Sequence, residues 1–235
     1  MKPELKKIVL SLFALLAAGV APNIFVAAEA GYAGMNDLAV EFLLPSIVLL
    51  AVVIVISWFV GERKLTRQIR SGIFAGLIGT IGLEIIREIG YHLGGMPGDL
   101  PELMGVLLLN RFAQGPNVLS DIAGWSYHFW NGAMFAVIYS IIIGKGKIWG
   151  GTLYGILVGI GFMASPVVIA LGVGPFGVDF GWGFAVTVML AHITFGTILG
   201  WFVFRKNESG SSIFYEFKNL FSGQNVMPAA DSKKI

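Results

Sequence analysis

Six apolar stretches, each long enough to cross a lipid bilayer as an α-helix, constrain this sequence more than any other feature. A helix rises about 1.5 Å per residue, so about 20 apolar residues cross a hydrocarbon core roughly 30 Å thick. The chain has 56% hydrophobic and 13% charged residues and a mean hydropathy of +0.79, unlike soluble globular domains. The sequence therefore predicts an all-α, polytopic transmembrane helical bundle. The predicted spans lie at approximately residues 8–28, 38–60, 71–92, 121–143, 148–171 and 182–204.

The first stretch fits two interpretations. Basic residues at the start, including Lys6 and Lys7, precede an apolar run that contains Pro22 and ends in Ala-Glu-Ala at 28–30. This pattern is typical of a cleaved secretory signal, but the run is also long enough to be a span. We expect an uncleaved first helix and six spans, whereas cleavage would leave five.

The distribution of positive charge predicts the orientation. All Lys and Arg residues except Arg87 and Arg111 lie near the N-terminus, in two segments taken as loops at 61–70 and 144–147, or in the tail 205–235. Because basic residues favour the cytoplasmic side, both ends of the chain are predicted to be cytoplasmic. Within the tail, segment 211–222 has an apolar helical face, which is suited to lying on a membrane surface.

The long loop at 93–120 is predicted to contain a short helix of its own. Asp99 occupies an N-cap position, Pro101 follows in the first turn, and Glu102 stands three residues after the cap. This combination is a helix start, and the helix should end near Phe112. About a dozen residues cannot span a bilayer, so we expect an interfacial or re-entrant helix.

The third span carries four ionisable residues: Glu84, Arg87, Glu88 and His92. An ionisable side chain inside the bilayer costs at least a few kcal/mol, so it normally faces a partner, a cavity or an ion. The two glutamates and His92 share one helical face, because residues four apart lie one above the other. We expect this face to point into the bundle.

Glycines are spaced for close helix packing in two of the predicted spans. They are Gly72, Gly76, Gly79, Gly90 and Gly94 in the third span, and Gly151, Gly155 and Gly159 in the fifth. Small residues at such spacing let helices approach closely in lipid. We expect these glycine stripes to contact other helices of the chain, a second copy of it, or a partner in a membrane complex. The fifth span also contains Pro166, at which we expect a kink.

Two histidines share a local pattern. His128 and His192 are each followed four residues later by glycine, in HFWNGAMF and HITFGTIL. The glycine either leaves room for a flat group beside the imidazole or permits a helix contact while the histidine makes a buried hydrogen bond. From the rise of a helix, Glu84, His128 and His192 are predicted to lie at similar depth in the outer half of the membrane.

These residues predict a metal or haem site. The chain has no cysteine, so thiolate ligands are excluded. Carboxylates and imidazoles are suitable ligands for Fe, Cu, Mn or Zn. The candidate metal ligands are Glu84, Glu88, His92, His128 and His192. Alternatively, His128 and His192 could be axial ligands of haem b, with Arg87 or Arg111 facing its propionates.

Three other interpretations remain open. The first is an internal salt-bridge network without any ligand, for instance Glu84 with Arg87 and Glu88 with a histidine. The second is a small proton-coupled transporter, and the third is an accessory subunit of a membrane complex. Metal or haem binding in a redox role is the leading hypothesis, at a site open to the extracytoplasmic side and covered by the helix that begins near Leu100. The bilayer is the expected partner and nucleic acid is not.

Several short motifs resemble those of a group of small bacterial multi-pass inner-membrane proteins. They are the Gly-rich third span, GDLPELMG at 98–105, GWSYHFWNG at 124–132 and AHITFGTILG at 191–200. The resemblance covers about residues 71–204 and implies an integral protein of the bacterial inner (plasma) membrane. It implies no activity and no catalytic residues, and Glu84 and Glu88 are not part of the shared pattern.

Overall fold

The computed structural model describes residues 3–222, and within them the chain is all-helical, without strands. The helices are α1 (Pro3–Glu29), α2 (Met35–Leu38), α3 (Leu44–Phe59), α4 (Arg63–His92), α5 (Leu100–Leu108), α6 (Val118–Ile143), α7 (Ile148–Met163), α8 (Pro166–Ala170), α9 (Trp182–Lys206) and α10 (Ile213–Ser222). A π-helical turn at Ala39–Leu43 joins α2 to α3. The predicted all-α class is confirmed. Residues 223–235 of the predicted tail lie outside the described part of the chain.

Four helices are long and apolar enough to cross a membrane. They are Glu4–Glu29, Met35–Phe59, Arg63–His92 and Trp182–Lys206. Helix α7 is apolar but has only 16 residues. Helix α6 has 26 residues and carries polar side chains such as His128 and Asn131, and it is not one of these four. The structure therefore supports a membrane protein with four candidate spans, and the count of six is not confirmed.

Two predicted boundaries are wrong. The basic segment 61–70 is not a loop, because α4 begins at Arg63 and the connection is reduced to a turn at Gly61, whose φ of 80° is in the left-handed region. The loop helix α5 ends at Leu108 rather than near Phe112, and the left-handed residue Asn110 follows (φ 51°).

The predicted kink at Pro166 is a break between two helices. Helix α7 ends at Met163, Ser165 has an extended backbone (φ −81°, ψ 161°), and Pro166 is the first residue of α8. A proline disfavours helical geometry at the residue before it, which explains why the chain leaves the helix at Ser165. The fifth predicted span is therefore two helices.

Glycines bring four helices into backbone contact. Helix α4 packs against α6 and α9, and α7 packs against α9. A Cβ atom on Gly76 would lie 2.4 Å from the carbonyl oxygen of Gly132, and one on Gly155 would lie 2.2 Å from that of His192. These distances leave no room for a side chain, so the stripe glycines that lie within α4 and α7 are used for packing within the chain. Gly94, the last residue of the predicted stripe, lies beyond the end of α4, and a Cβ atom there would meet nothing within 4 Å.

The α4–α6 and α7–α9 pairs resemble each other. In each pair, a long helix is followed by a short helix that starts with proline in its first turn, and then by a long histidine-bearing helix. Gly132 and Gly196, each four residues after the histidine, meet Gly76 and Gly151 of the preceding long helix. Both glycines thus serve helix contact, which is the second of the two interpretations of the shared motif.

Helices α1, α3 and α10 pack around this four-helix unit. Helix α1 contacts α6, where the hydroxyl of Tyr127 donates to the carbonyl of Ala21 at 2.7 Å, and α3 packs on α1. Helix α10 packs against α1 through a salt bridge of 2.5 Å between Lys7 and Glu216. Its apolar face buries Ile213, while Phe221 on the same helix is 82% exposed.

Candidate functional site

A cavity of about 460 Å³ lies inside the helical bundle. Helices α6 and α7 flank it. They are joined at one end by the hydroxyl of Tyr154, which donates to the carbonyl of Phe135 at 3.0 Å. At the other end, Leu100 and Met104 of α5 and Val167 of α8 line the cavity. The short helices of the two pairs thus cover one end of the space between the long helices.

The cavity wall is mainly apolar. Aromatic and aliphatic side chains from α1, α4, α6, α7 and α9 form most of it, among them Phe25, Leu83 and Phe195. Leu157 and Gly161 line the cavity and are exposed, so the cavity opens on the side of the bundle at α7. The polar side chains in the wall are Thr80, Arg87, His128, Asn131, Tyr154, Ser165, Thr187 and His192.

Glu84, Arg87 and His128 form a buried group that we call the ion cluster. Nε of Arg87 donates to Oε2 of Glu84 at 2.7 Å, within one turn of α4. Nε2 of His128, on α6, lies 2.8 Å from Oε1 of the same carboxylate. The side chains are only 6–12% exposed. One carboxylate therefore uses both its oxygens to bind a guanidinium on its own helix and an imidazole on the next.

The ion cluster continues into exposed groups. Nη2 of Arg87 lies 3.6 Å from Glu88 and 3.5 Å from Asp99, and Nε2 of His92 lies 3.2 Å from Glu88. Partial burial raises the pKa of Asp99 above its ordinary value, and the nearby guanidinium opposes this increase. The contact of Glu88 with His92, and that of Glu84 with Arg87 within the ion cluster, match the two pairs named in the salt-bridge alternative.

The ion cluster separates the cavity from an open depression that we call the side groove. The side groove is lined by Ile81, Glu84, Ile85, Glu88, Ile89, His92, Asp99, Trp125 and Phe129. Arg87 and His128 line the cavity, whereas Glu84 lines the side groove. The three charged or titratable side chains of the cluster therefore form the partition between the two spaces.

His192 lies in the cavity wall on α9 and makes no hydrogen bond to the ion cluster. Its Nδ1 is 2.8 Å from the carbonyl oxygen of Val188, one turn earlier in α9. Gly159 of α7 backs the side chain, because a Cβ atom there would lie 3.0 Å from Cβ of His192. The ring of Phe162 is nearly parallel to the imidazole, with centroids 6.0 Å apart. Three contacts thus fix the orientation of the imidazole.

The predicted metal ligands are divided among three places. Glu84 and His128 meet in the ion cluster, Glu88 and His92 are exposed in the side groove, and His192 lies elsewhere in the cavity wall. Within residues 3–222, no group of three or more His, Cys, Asp or Glu side chains could hold a metal ion. Of the predicted haem residues, His128, His192 and Arg87 line the cavity. Arg111 does not line it.

Four residues of the site were missed by the sequence analysis. Asp99 was assigned only to a helix cap, yet its side chain also lies 3.5 Å from Arg87. Asn131, Tyr154 and Thr187 line the cavity without having been singled out. Only for Asn131 was there a signal of its position in the site: it stands three residues after His128, and side chains three apart share a helical face.

No family model, no curated protein and no solved structure matches this chain.

Proposed function

We propose that this chain is a six-span integral membrane protein of the bacterial inner membrane, with both ends cytoplasmic, that binds an apolar small molecule in its cavity. The cavity itself is the observation that carries the proposal. Its volume of about 460 Å³ lies in the range of small-molecule sites, roughly 300–1,000 Å³. Its apolar wall and its opening beside Leu157 and Gly161 suit a ligand that arrives from the lipid phase.

The ion cluster supports a ligand without a metal. A buried carboxylate needs a compensating charge, which was the reason to expect a cation beside Glu84. In the structure that charge is supplied by Arg87 at 2.7 Å, and a further hydrogen bond comes from His128 at 2.8 Å. The three side chains of the ion cluster thus satisfy one another, and together they close the cavity toward the side groove.

The same partition supports carriage of the ligand coupled to protons. A proton-coupled carrier needs a titratable group linked to its ligand site, and Glu84 contacts two residues of the cavity wall, Arg87 and His128. Protonation of Glu84 would weaken its attraction to Arg87 and so loosen the partition. Proton-linked uptake that is abolished by Glu84→Gln, with ligand binding retained, would identify the protein as a carrier.

A cavity-filling variant tests ligand binding. Gly161 lines the cavity, and a Cβ atom there meets nothing within 4 Å. Gly161→Phe should therefore fill part of the cavity without disturbing α7. Protein purified in native lipid should yield about one equivalent of a specific apolar molecule by mass spectrometry, as expected of a single site. The variant should lose it.

Gly19→Phe is the matched control. Gly19 is helical, meets nothing within 4 Å of an added Cβ and does not line the cavity, so this variant should keep the bound molecule. The proposal is wrong if wild-type protein carries only bulk membrane lipid, or if both variants lose the bound molecule equally.

Haem or metal binding is the second candidate, and the orientation of His192 favours it. A metal-ligating histidine usually donates its other ring N–H to a carbonyl or carboxylate, as Nδ1 does here toward Val188. If haem were bound, His192 would hold its iron, and the propionates would have to compete with the three carboxylates that already face Arg87. Elemental analysis and a visible spectrum of purified protein, each repeated on His192→Ala, distinguish this candidate from an organic ligand.

A further inference from the structure

The hydroxyl groups in the cavity wall are available as hydrogen-bond acceptors. Three of them donate their proton to backbone carbonyls of the protein, which leaves only oxygen lone pairs for another molecule. These bonds are Thr80 to Gly76 at 2.8 Å, Tyr154 to Phe135 at 3.0 Å, and Ser165 to Phe162 at 2.7 Å.

The strongest donor in the wall is already engaged. The guanidinium of Arg87 is 6% exposed and faces the carboxylates of Glu84, Glu88 and Asp99 at 2.7–3.6 Å. Three carboxylates surround one guanidinium, so an anionic group of a ligand would compete with them and be repelled by them. The charges of the site therefore do not favour an anionic ligand.

His192 adds an acceptor that is fixed in place. A carbonyl oxygen can only accept a hydrogen bond, so the contact of Nδ1 with Val188 requires the proton to be on Nδ1. An apolar cavity disfavours the charged imidazolium, so Nε2 carries a lone pair. Among the described residues Nε2 has no hydrogen-bond partner, and the ring lines the cavity.

The remaining polar side chains do not reverse this preference. Asn131 and Thr187 also line the cavity, and an amide or a hydroxyl can both donate and accept. They can pair with either kind of ligand group. His128 also lines the cavity: its Nε2 contacts Glu84, and its Nδ1 has no hydrogen-bond partner among the described residues, so a neutral ring offers one more acceptor. The wall as a whole thus offers groups that can only accept, a guanidinium that is already engaged, and groups that can either donate or accept.

We infer that the ligand of this cavity is an apolar molecule with one hydroxyl group, an alcohol or a phenol, which donates its hydrogen bond to Nε2 of His192. This inference rests on the proposed function and adds the chemical class of the ligand. A hydrocarbon would leave the lone pair of His192 without a donor, and an unpaired polar group facing an apolar space is unfavourable. A carboxylate would bring charge to a site that already has an excess of carboxylates.

Three probes of one shape test the inference: biphenyl, 4-phenylphenol and 4-methoxybiphenyl. Binding is measured by calorimetry on protein in lipid nanodiscs, and partition into empty nanodiscs is subtracted. One net hydrogen bond should give 4-phenylphenol a preference over biphenyl of roughly threefold to tenfold. The ether has an oxygen but no donor, so it should bind like the hydrocarbon.

Two variants of His192 identify the acceptor. His192→Asn can still donate to Val188 but places no acceptor at the position of Nε2, so the preference for the phenol should disappear. His192→Gln can place an amide oxygen near that position, so a preference should return. Both side chains are polar and smaller than imidazole, so any cavity effect on binding of biphenyl should be similar in the two variants.

The outcomes separate the two proposals. If no probe binds above the level of empty nanodiscs, the proposed apolar-ligand function is wrong. If all three bind wild-type protein equally, the cavity binds apolar molecules but the inferred hydroxyl is wrong. A preference that persists in His192→Asn would show that another group accepts the hydrogen bond, and would overturn the role assigned to His192.

Discussion

Oε1 of Glu84 lies 2.8 Å from Nε2 of His128, so a carboxylate of α4 and an imidazole of α6 bridge two helices that also meet through glycines. The second oxygen of Glu84 accepts from Arg87, one turn along α4. The carboxylate therefore compensates the buried charge of the guanidinium and connects two helices at once. Its removal should affect stability more than removal of any exposed acid nearby.

We expect Glu84→Ala to lower the free energy of unfolding by about 3 kcal/mol, because it leaves the buried Arg87 without its closest counter-charge. Asp99 and Glu88 remain near the guanidinium, which places the loss at the lower end of the usual range. Denaturation by SDS in lipid–detergent micelles measures the difference. The double variant Glu84→Ala with Arg87→Met should recover part of the loss, since neither charge then stays buried alone.

Glu88→Ala is the matched control for that experiment. Glu88 lies one turn further along α4, but its side chain is 52% exposed and its contact with Arg87 is longer, at 3.6 Å. Exposed ion pairs contribute about 1 kcal/mol or less, so the control should change stability little. If both variants lose the same free energy of unfolding, the buried ion cluster does not stabilise the fold more than an exposed ion pair does.

The glycine contact between α4 and α6 makes a second prediction. Gly76→Ala would place a Cβ atom 2.4 Å from the carbonyl oxygen of Gly132, so the helices must separate. We expect a loss of about 1–3 kcal/mol in the free energy of unfolding, the usual cost of overpacking. The same SDS denaturation series measures it.

Gly19→Ala provides the comparison for Gly76→Ala. An added Cβ at Gly19 meets nothing within 4 Å, and alanine favours a helix over glycine by up to about 1 kcal/mol. This variant should be neutral or slightly stabilising. The packing argument fails if Gly76→Ala is tolerated as well as Gly19→Ala.

The helices were predictable from the sequence because a chain in lipid must satisfy its backbone hydrogen bonds internally, and a helix does so within one segment. The contact of Glu84 with Arg87 was also predictable, since residues three apart are neighbours on a helix. The partner on α6 was not, because the helix that lies beside Glu84 depends on how α4 and α6 cross. His192 lines the same cavity, but it makes no hydrogen bond to the ion cluster, which its predicted depth could not reveal.

The cavity could not be predicted from any local pattern. It depends on side chains of seven helices, and on the break at Ser165 that places α8 over one end. The helical face shared by Glu84 and Glu88 was predicted to point into the bundle, but only Glu84 is buried. Both lie on one side of α4, but Glu84 is covered by α6 while Glu88, one turn later, lies in the open side groove. Periodicity gives the face of a helix, whereas burial depends on how the neighbouring helix crosses that face.

The absence of cysteine makes the orientation directly testable. Lys64, near the start of α4, and Gln114, between α5 and α6, are both exposed and can each be replaced by the single cysteine of the chain. Because basic residues are retained on the cytoplasmic side, Gln114→Cys should react with a membrane-impermeant maleimide on intact cells. Lys64→Cys should react only after the cells are opened. Labelling in the reverse order would overturn the proposed orientation.

The contacts of α1 predict that the first apolar stretch is retained as a helix rather than removed as a signal. Pro22 and Phe25 line the cavity, Ala21 accepts the hydrogen bond of Tyr127, and Lys7 pairs with Glu216 of α10. Removal of α1 would expose the cavity along one side and leave the buried hydroxyl of Tyr127 without its acceptor, which costs about 1–3 kcal/mol. The intact mass of protein purified from membranes should therefore include residues 1–30. A mature N-terminus at or near Gly31 would contradict this prediction, and it would leave five spans around a cavity open on the side that α1 covers.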